Sequence, residues 1–142
     1  MTADQSYGKP LPVADPVTAP FWESVKAHAM KLQRCNGCGQ WVFYPRGLCP
    51  HCFSDDLAWE PVAGTGVVHA FTIVHRHPSP AFNAEIPYVV ALIELNEGAR
   101  LLSNLVEVAP DPAAVRVGLP VEVVYDDVTA EVTLPKFRPR AA

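Results

Sequence analysis

Two cysteine pairs, Cys35-Asn36-Gly37-Cys38 and Cys49-Pro50-His51-Cys52, stand in the first half of the chain with ten residues between them. A gap of two residues lets both sulfurs of a pair reach one ion, while backbone N–H groups of the turn point at the thiolates. Two such pairs supply the closed tetrahedral donor set of a structural zinc site. We therefore predict that Cys35, Cys38, Cys49 and Cys52 hold one structural Zn²⁺ and take no part in catalysis.

Two other roles for these cysteines are weighed against zinc. Redox-active C-x-x-C pairs belong to a βαβ context, which this sequence lacks. Tetrahedral four-sulfur sites also accommodate iron, but the loop between the pairs is short and nothing else indicates electron transfer. The N-terminal residues 1–5 have no basic or apolar segment, and no apolar run approaches the ~20 residues of a membrane span, so we expect a cytoplasmic protein. In that reducing compartment, metal ligation is favoured over disulfides.

The segments around the cysteines indicate short elements, because fifteen prolines exclude long helices. Residues 1–17 are predicted to form an extended arm. A helix of about three turns is predicted from Thr18 to Ala29, with Thr18 as its cap and Pro20 in its first turn. Its apolar side chains fall on one face at helical spacing. A strand from Met30 then leads into Cys35.

The second half of the chain predicts a mostly β domain. Five strand signals occur, and a short helix is expected at residues 110–117, between the third and the fourth strand. This pattern is typical of an OB-fold, a small five-stranded barrel, although an SH3-like barrel fits the pattern too. We divide the chain into residues 1–62 (arm, helix and zinc ribbon) and 63–142 (barrel). The predicted strands are 67–77, 88–95, 100–106, 121–125 and 131–137.

Catalytic and nucleic-acid-binding signals are weak. The net charge is −4, which opposes binding to polyanions. Lys136, Arg138 and Arg140 form the one local cationic cluster. No G-x-S-x-G sequence and no phosphate-binding glycine loop occurs. We therefore predict no catalytic residue.

The order of motifs resembles a known family over nearly the whole chain from residue 18. The sequence resembles the zinc-ribbon/OB-fold proteins catalogued as family thirty-five of the domains of unknown function. This resemblance implies a rubredoxin-like ribbon preceded by helices and followed by an OB-fold. The segments that carry it, besides the cysteine pairs, are Ala19–Glu23, Gly64–Arg76, Pro87–Leu95, Val117–Val123 and Leu134–Pro139.

The resemblance also implies a function. Members of that family act as accessory subunits of thiolases, acyltransferases, hydroxymethylglutaryl-CoA synthases and thiolase-fold aldolases of steroid side-chain breakdown, and in some the domain is fused to a hydratase. We expect a chain without catalysis of its own, which docks on a thiolase-fold enzyme in a hetero-oligomer and helps to present an acyl-CoA substrate. The alternative is a module that binds single-stranded nucleic acid.

Two sets of residues are expected to carry that function. A ribbon this small offers little core, so Phe21, Trp22 and Val25 of the predicted helix are candidate docking residues. Lys136, Arg138 and Arg140 are candidate ligands of the CoA phosphates, because arginine binds phosphate with parallel hydrogen bonds.

Overall fold

The computed structural model describes residues 7–141, so residues 1–6 of the predicted arm and residue 142 lie outside it. Helix α1 spans Ala19–Lys26. A three-stranded antiparallel sheet follows, formed by β1 (Lys31–Cys35), β2 (Trp41–Val42) and β3 (Leu57–Pro61) in the order β2-β1-β3. The hairpin between β1 and β2 carries the first cysteine pair, and the second pair precedes β3. This small sheet is the ribbon, and its last two strands were not among the predicted elements.

The remaining strands close into a five-stranded barrel in the order β4-β5-β6-β8-β7. All pairings are antiparallel except that of β6 with β8, which is parallel and has one registered pair, Leu105 with Phe137. Strand β5 alternates regularly between half-buried and buried residues, as expected for a sheet with one face in a core. The predicted OB-fold is confirmed. The strands are β4 (Thr65–Val74), β5 (Tyr88–Leu95), β6 (Arg100–Leu105), β7 (Pro120–Asp127) and β8 (Thr133–Pro139).

Helix α1 is shorter than predicted, and Thr18 occupies its N-cap position as predicted. The Thr18 side chain makes no cap hydrogen bond to the helix. Instead, the carboxylate of Asp15 accepts from the N–H groups of Val17 and Thr18 at 2.9 and 2.8 Å, and the Thr18 hydroxyl accepts from the N–H of Asp15 at 3.0 Å. The helix ends at Lys26 because His28 adopts a φ of 58°, which turns the chain towards β1.

The helix predicted at residues 110–117 is wrong. Asp111 closes a single turn there: its carboxylate accepts from the N–H of Ala113 at 2.8 Å, and its carbonyl accepts from Ala114 and Val115 at 2.8 and 3.1 Å. Val115 then enters the core with 1% exposure, and Gly118 reverses the chain at a φ of 89°. A regular helix therefore has no room to continue. A short helix, α2 (Pro80–Asn83), lies instead in the proline-rich loop before β5.

Ribbon and barrel share one hydrophobic core. Phe21 and Val25 of α1, together with Met30 and Leu32, belong to the same buried cluster as the interior of the barrel. The N–H of Met30 donates to the hydroxyl of Tyr125 at 2.9 Å. Helix α1 thus packs against the barrel as well as against the ribbon. Within residues 7–141, no helix is long and apolar enough to cross a membrane.

Candidate functional site

The four predicted cysteine ligands meet at one point of the ribbon. Their sulfur atoms all lie within 4.8 Å of one another. Two of the distances join sulfurs of different pairs: 3.5 Å from Cys35 to Cys52 and 3.7 Å from Cys38 to Cys49. Four sulfurs at about 2.3 Å from one zinc ion stand about 3.8 Å apart along the edges of the tetrahedron. The arrangement therefore fits a single tetrahedral Zn²⁺ ion.

The two cysteine pairs use the same backbone turn. The N–H of Gly39 donates to the carbonyl of Cys35 at 2.8 Å, and the N–H of Phe53 donates to the carbonyl of Cys49 at 2.9 Å. The residue after each pair is in the left-handed region: Gly39 has a φ of 77° and Phe53 has a φ of 64°. Glycine adopts this conformation at no steric cost, whereas phenylalanine does not.

The turns also favour the thiolate form of one ligand. Hydrogen bonding from the backbone N–H of Cys38 lowers the pKa of the Cys35 thiol to about 7, against an ordinary value of 9.0. Zinc binds thiolates, so this backbone donor prepares Cys35 as a ligand. All four positions of the site are occupied by protein sulfur, which leaves none for a substrate.

The ribbon needs the metal because its own core is small. The hydrophobic cluster around the site consists of the buried residues Cys35, Val42 and Cys49, with Leu57 partly buried against them. Apolar burial on this scale does not offset the conformational entropy of ordering the turns. A structural Zn²⁺ supplies the missing free energy when it is bound, as the sequence predicted.

The predicted docking residues do not share one environment. Phe21 is 4% exposed and Val25 is fully buried, and both belong to the core of the chain itself. They are therefore inaccessible to a partner in this conformation. Trp22 is half-buried and stands edge-on to Phe21, with ring centroids 5.1 Å apart. Of the three residues, Trp22 alone faces a surface that a partner can reach.

An apolar groove of about 290 Å³ lies beside Trp22. Helix α1 and the loop after β2 form one wall, and strands β6 and β8 form the other. Two of its side chains are strongly exposed: Tyr44 at 57% and Leu102 at 59%. We call this the α1–barrel groove. Its lining residues are Thr18, Phe21, Trp22, Phe43, Tyr44, Pro45, Leu102, Ser103, Asn104, Leu134, Pro135 and Lys136.

The predicted cationic cluster is largely neutralised by ion pairs. The ammonium group of Lys136 lies 2.6 Å from the carboxylate of Asp126. The guanidinium of Arg138 lies 3.4 Å from the carboxylates of both Glu107 and Glu122. Arg140 is exposed and has no ion pair among the described residues. The CoA contacts of these cations stay a prediction, and Arg140 is the member that remains free to make one.

The sequence matches known families over both the ribbon and the barrel. Residues 22–58 match the family model of the "ChsH2, rubredoxin-like zinc ribbon domain", and residues 59–126 match that of the "ChsH2, C-terminal OB-fold domain". A "DUF35 domain-containing scaffold protein" of Methanocaldococcus jannaschii is 34% identical over 113 residues, which cover 78% of each chain. The chain belongs to the DUF35 family.

A solved structure and two longer relatives extend the comparison of this DUF35 protein. The structure described as "Ltp2-ChsH2(DUF35) aldolase" superposes with a TM-score of 0.80 at 42% identity, over 90% of this chain and 98% of that one. A "Probable enoyl-CoA hydratase alpha subunit" of Thermomonospora curvata is 42% identical over 131 residues. A "3-oxo-4,17-pregnadiene-20-carboxyl-CoA hydratase alpha subunit" of Mycobacterium tuberculosis is 36% identical over 110 residues. These two matches cover 92% and 78% of this chain, but only 40% and 34% of the two hydratase subunits.

Three histidines of the DUF35 chain, His69, His75 and His77, share strand parity in the sequence but do not meet in space. Strand β4 has a bulge between Val68 and Ala70, and it ends at Val74, before the other two histidines. His77 packs on Phe82 with ring centroids 4.3 Å apart. Within residues 7–141, the four cysteines are the one group that could hold a metal.

Sequence reasoning missed the residues that build the surfaces of this DUF35 chain. Lys9 of the arm lies between the rings of Tyr7 and Phe82, at 5.5 and 5.6 Å, and forms an ion pair of 2.5 Å with Glu85. It lines a second cavity of about 230 Å³, which also contains Lys136. Tyr44 and Leu102 of the α1–barrel groove were missed as well. A single exposed aromatic or leucine in a sequence carries no signal of the groove that it borders.

Proposed function

We propose that this chain is a non-catalytic accessory subunit of an acyl-CoA enzyme with a thiolase fold. The observation that carries the proposal is the match to the "Ltp2-ChsH2(DUF35) aldolase" structure, since the chain covers 98% of that chain at 42% identity. The DUF35 relatives named as scaffold proteins support the same role. The steroid acyl-CoA in the name of the mycobacterial relative supports steroid side-chain degradation as the setting.

The arrangement of the polar groups within residues 7–141 supports a non-catalytic role. The metal site has four sulfur ligands and no open position, so it cannot polarise a substrate or activate water. His69 lies on β4 and His75 and His77 lie in the loop after it, and within the described part of the chain none belongs to a group that could hold a metal. Acyl transfer or aldol cleavage needs a nucleophile or base held against a reacting carbon, and the described residues offer no such arrangement. The chemistry of the complex therefore belongs to the partner.

The α1–barrel groove is the docking surface that we assign to this partner. Trp22 and Tyr44 border the groove on the helix and ribbon side, and Leu102 borders it on the barrel side. Large aromatic side chains around an apolar depression are typical of the centre of a protein interface. Burial of these exposed apolar groups would also hold ribbon and barrel in a fixed orientation towards the partner.

The CoA thioester is proposed to lie near the end of β8. Lys136 borders both the groove and the second cavity, and Arg140 follows the strand. Because Lys136 and Arg138 already have carboxylate partners, a CoA phosphate would have to compete for them, whereas Arg140 has no ion pair within residues 7–141. The cationic residues are thus expected to adjust the affinity for CoA substrates without holding the complex together.

The proposal is tested by purifying the tagged chain from its native cells and identifying the proteins that accompany it. We expect a thiolase-fold enzyme, and we expect acyl-CoA turnover by the complex but not by the chain alone. A labelled single-stranded oligonucleotide serves as the competing ligand. Tight, salt-dependent binding of this oligonucleotide without any enzyme partner would favour the nucleic-acid alternative and contradict the proposal.

A further inference from the structure

Phe53, the residue after the second cysteine pair, combines two unfavourable features. Its φ of 64° places a bulky side chain in the left-handed region. Its side chain is also 77% exposed, so the ring remains in contact with water. The equivalent turn of the first pair carries Gly39, which avoids both features. Glycine thus satisfies the backbone of such a turn, and the presence of phenylalanine at position 53 needs another explanation.

Phe53 differs from the other residues with positive φ in its side-chain contacts. Between residues 7 and 141, three non-glycine residues have positive φ: His28, Phe53 and Glu107. The ring of His28 stacks on Tyr125 at 4.9 Å and faces Asp127, and Glu107 forms an ion pair with Arg138. In contrast, Phe53 belongs to neither hydrophobic cluster and has no aromatic contact among the described residues. The turn of the second cysteine pair holds this backbone, since the N–H of Phe53 donates to the carbonyl of Cys49 at 2.9 Å. No contact of the Phe53 ring compensates the strain, and backbone strain of this kind concentrates at functional positions.

The surroundings of Phe53 select the kind of molecule that would cover it. A side chain that is 77% exposed projects from the surface and does not line a cavity, so it fits a pocket on another macromolecule. Leu48, at the other end of the second cysteine pair, adds an apolar group that is 53% exposed. Asp55 and Asp56 follow Phe53 after one serine and are exposed, while residues 47–58 contain no lysine or arginine. These carboxylates disfavour nucleic acids and anionic membranes, and they complement a protein pocket with a basic rim.

We propose that Phe53 is an anchor residue for the partner enzyme, inserted into an apolar, basic-rimmed pocket of that subunit. This inference rests on the proposed function, because it takes the thiolase-fold enzyme as the occupant. It adds a second contact region, on the ribbon, to the α1–barrel groove. The left-handed backbone directs the ring of Phe53 outwards, and Asp55 guides the approach of the basic rim.

Stability and binding should respond in opposite ways to substitution of Phe53. Phe53→Gly removes the steric strain, and Phe53→Asn places there a small residue that tolerates positive φ. Both variants should keep their zinc and melt at a temperature no lower than that of the unchanged chain. Both should nevertheless bind the partner at least about tenfold more weakly, as is usual for truncated aromatic anchors. Val117→Ala, which shortens another side chain that is 65% exposed, is the matched control and should alter neither property.

The experiment measures the dissociation constant for the thiolase-fold enzyme that co-purifies with the chain, together with zinc content and melting temperature. Asp55→Asn should weaken binding several-fold at low ionic strength and not at about 0.5 M salt. Unchanged affinity of Phe53→Gly for a partner that binds the unchanged chain would overturn the inference and leave the proposed function standing. Loss of zinc or of stability in both Phe53 variants would also overturn it, since Phe53 would then support the fold. Failure of the unchanged chain to bind any such enzyme would overturn both proposals.

Discussion

Phe21 and Trp22 are neighbours in the sequence, yet their replacement by alanine should have separate consequences. Phe21 is 4% exposed, and its ring lies edge-on to Trp22 and Phe43 at 5.1 and 5.4 Å. Truncation of a buried phenylalanine costs about 3–5 kcal/mol, so Phe21→Ala should lower the free energy of unfolding by about 4 kcal/mol. That loss is a large part of the 5–15 kcal/mol typical of a domain.

Trp22 is half-buried and borders the α1–barrel groove, so most of its effect should appear in the complex. We expect Trp22→Ala to lower the free energy of unfolding by about half of the cost of a fully buried tryptophan, or about 2 kcal/mol. The affinity for the partner enzyme should fall by about 2 kcal/mol or more, which is at least about 30-fold. Val17→Ala, a truncation of a residue that is 42% exposed just before α1, is the control.

The two measurements are urea unfolding of the zinc-loaded chain, followed by circular dichroism, and calorimetric titration with the partner enzyme. If Trp22→Ala binds the partner as tightly as the unchanged chain, the groove is not the docking surface. If Phe21→Ala lowers the free energy of unfolding by less than about 1 kcal/mol, the packing of α1 in the shared core is misassigned, because a void of that size destabilises a core by more than this.

Three further predictions concern the metal, the dependence of stability on acid pH, and the cations of residues 136–140. Elemental analysis should find about one zinc per chain. Chelation should unfold at least the ribbon, because the free energy of metal binding is part of the free energy of folding in such sites. Full stability of Cys35→Ser would contradict this. Hydrogen bonding from His28 and then from Thr133 lowers the pKa of Asp127 below its ordinary value of 3.8. The stabilisation by this carboxylate is therefore complete above about pH 4 and lost as the pH falls through the lowered pKa. Asp127→Asn should therefore flatten the dependence of unfolding free energy on pH in that acid range. If the unfolding free energies of the two proteins fall in parallel as the pH is lowered, the contact is excluded. Replacing Lys136, Arg138 and Arg140 together by alanine should leave the complex intact and raise the KM of the partner for CoA substrates, most clearly at low salt; an unchanged KM would remove the CoA role of these residues.

The parts of the fold that follow from local pattern could be predicted from the sequence. The cysteine pairs define their turns by spacing alone, and their convergence on one ion follows from the tetrahedral, four-ligand coordination of structural zinc. The apolar run of residues 88–95 has the length of a strand, and β5 has these limits. The regular helix expected at residues 110–117 failed because the core takes up Val115 after one turn, a tertiary effect that local propensity does not contain.

The environment of the candidate site residues depends on contacts between distant segments. Nothing in residues 19–26 indicates that α1 packs on the barrel, so the burial of Phe21 and Val25 could not be derived from their spacing. The cations of β8 are neutralised through the register of β7 with β8, which places Glu122 directly opposite Arg138. A sequence shows three positive charges at alternate positions, but only the strand register shows which carboxylates face them.

The role of accessory subunit is tested most directly by the composition and activity of the protein as it occurs in the cell. The chain should be purified through a mild affinity tag from its native cells, and its mass, its partners and its acyl-CoA turnover should be determined on the same sample. We expect a stoichiometric complex with a thiolase-fold enzyme that turns over an acyl-CoA substrate, and no turnover by the chain once it is separated from that enzyme. A chain that is purified without any enzyme partner, or that turns over acyl-CoA alone, would contradict the account.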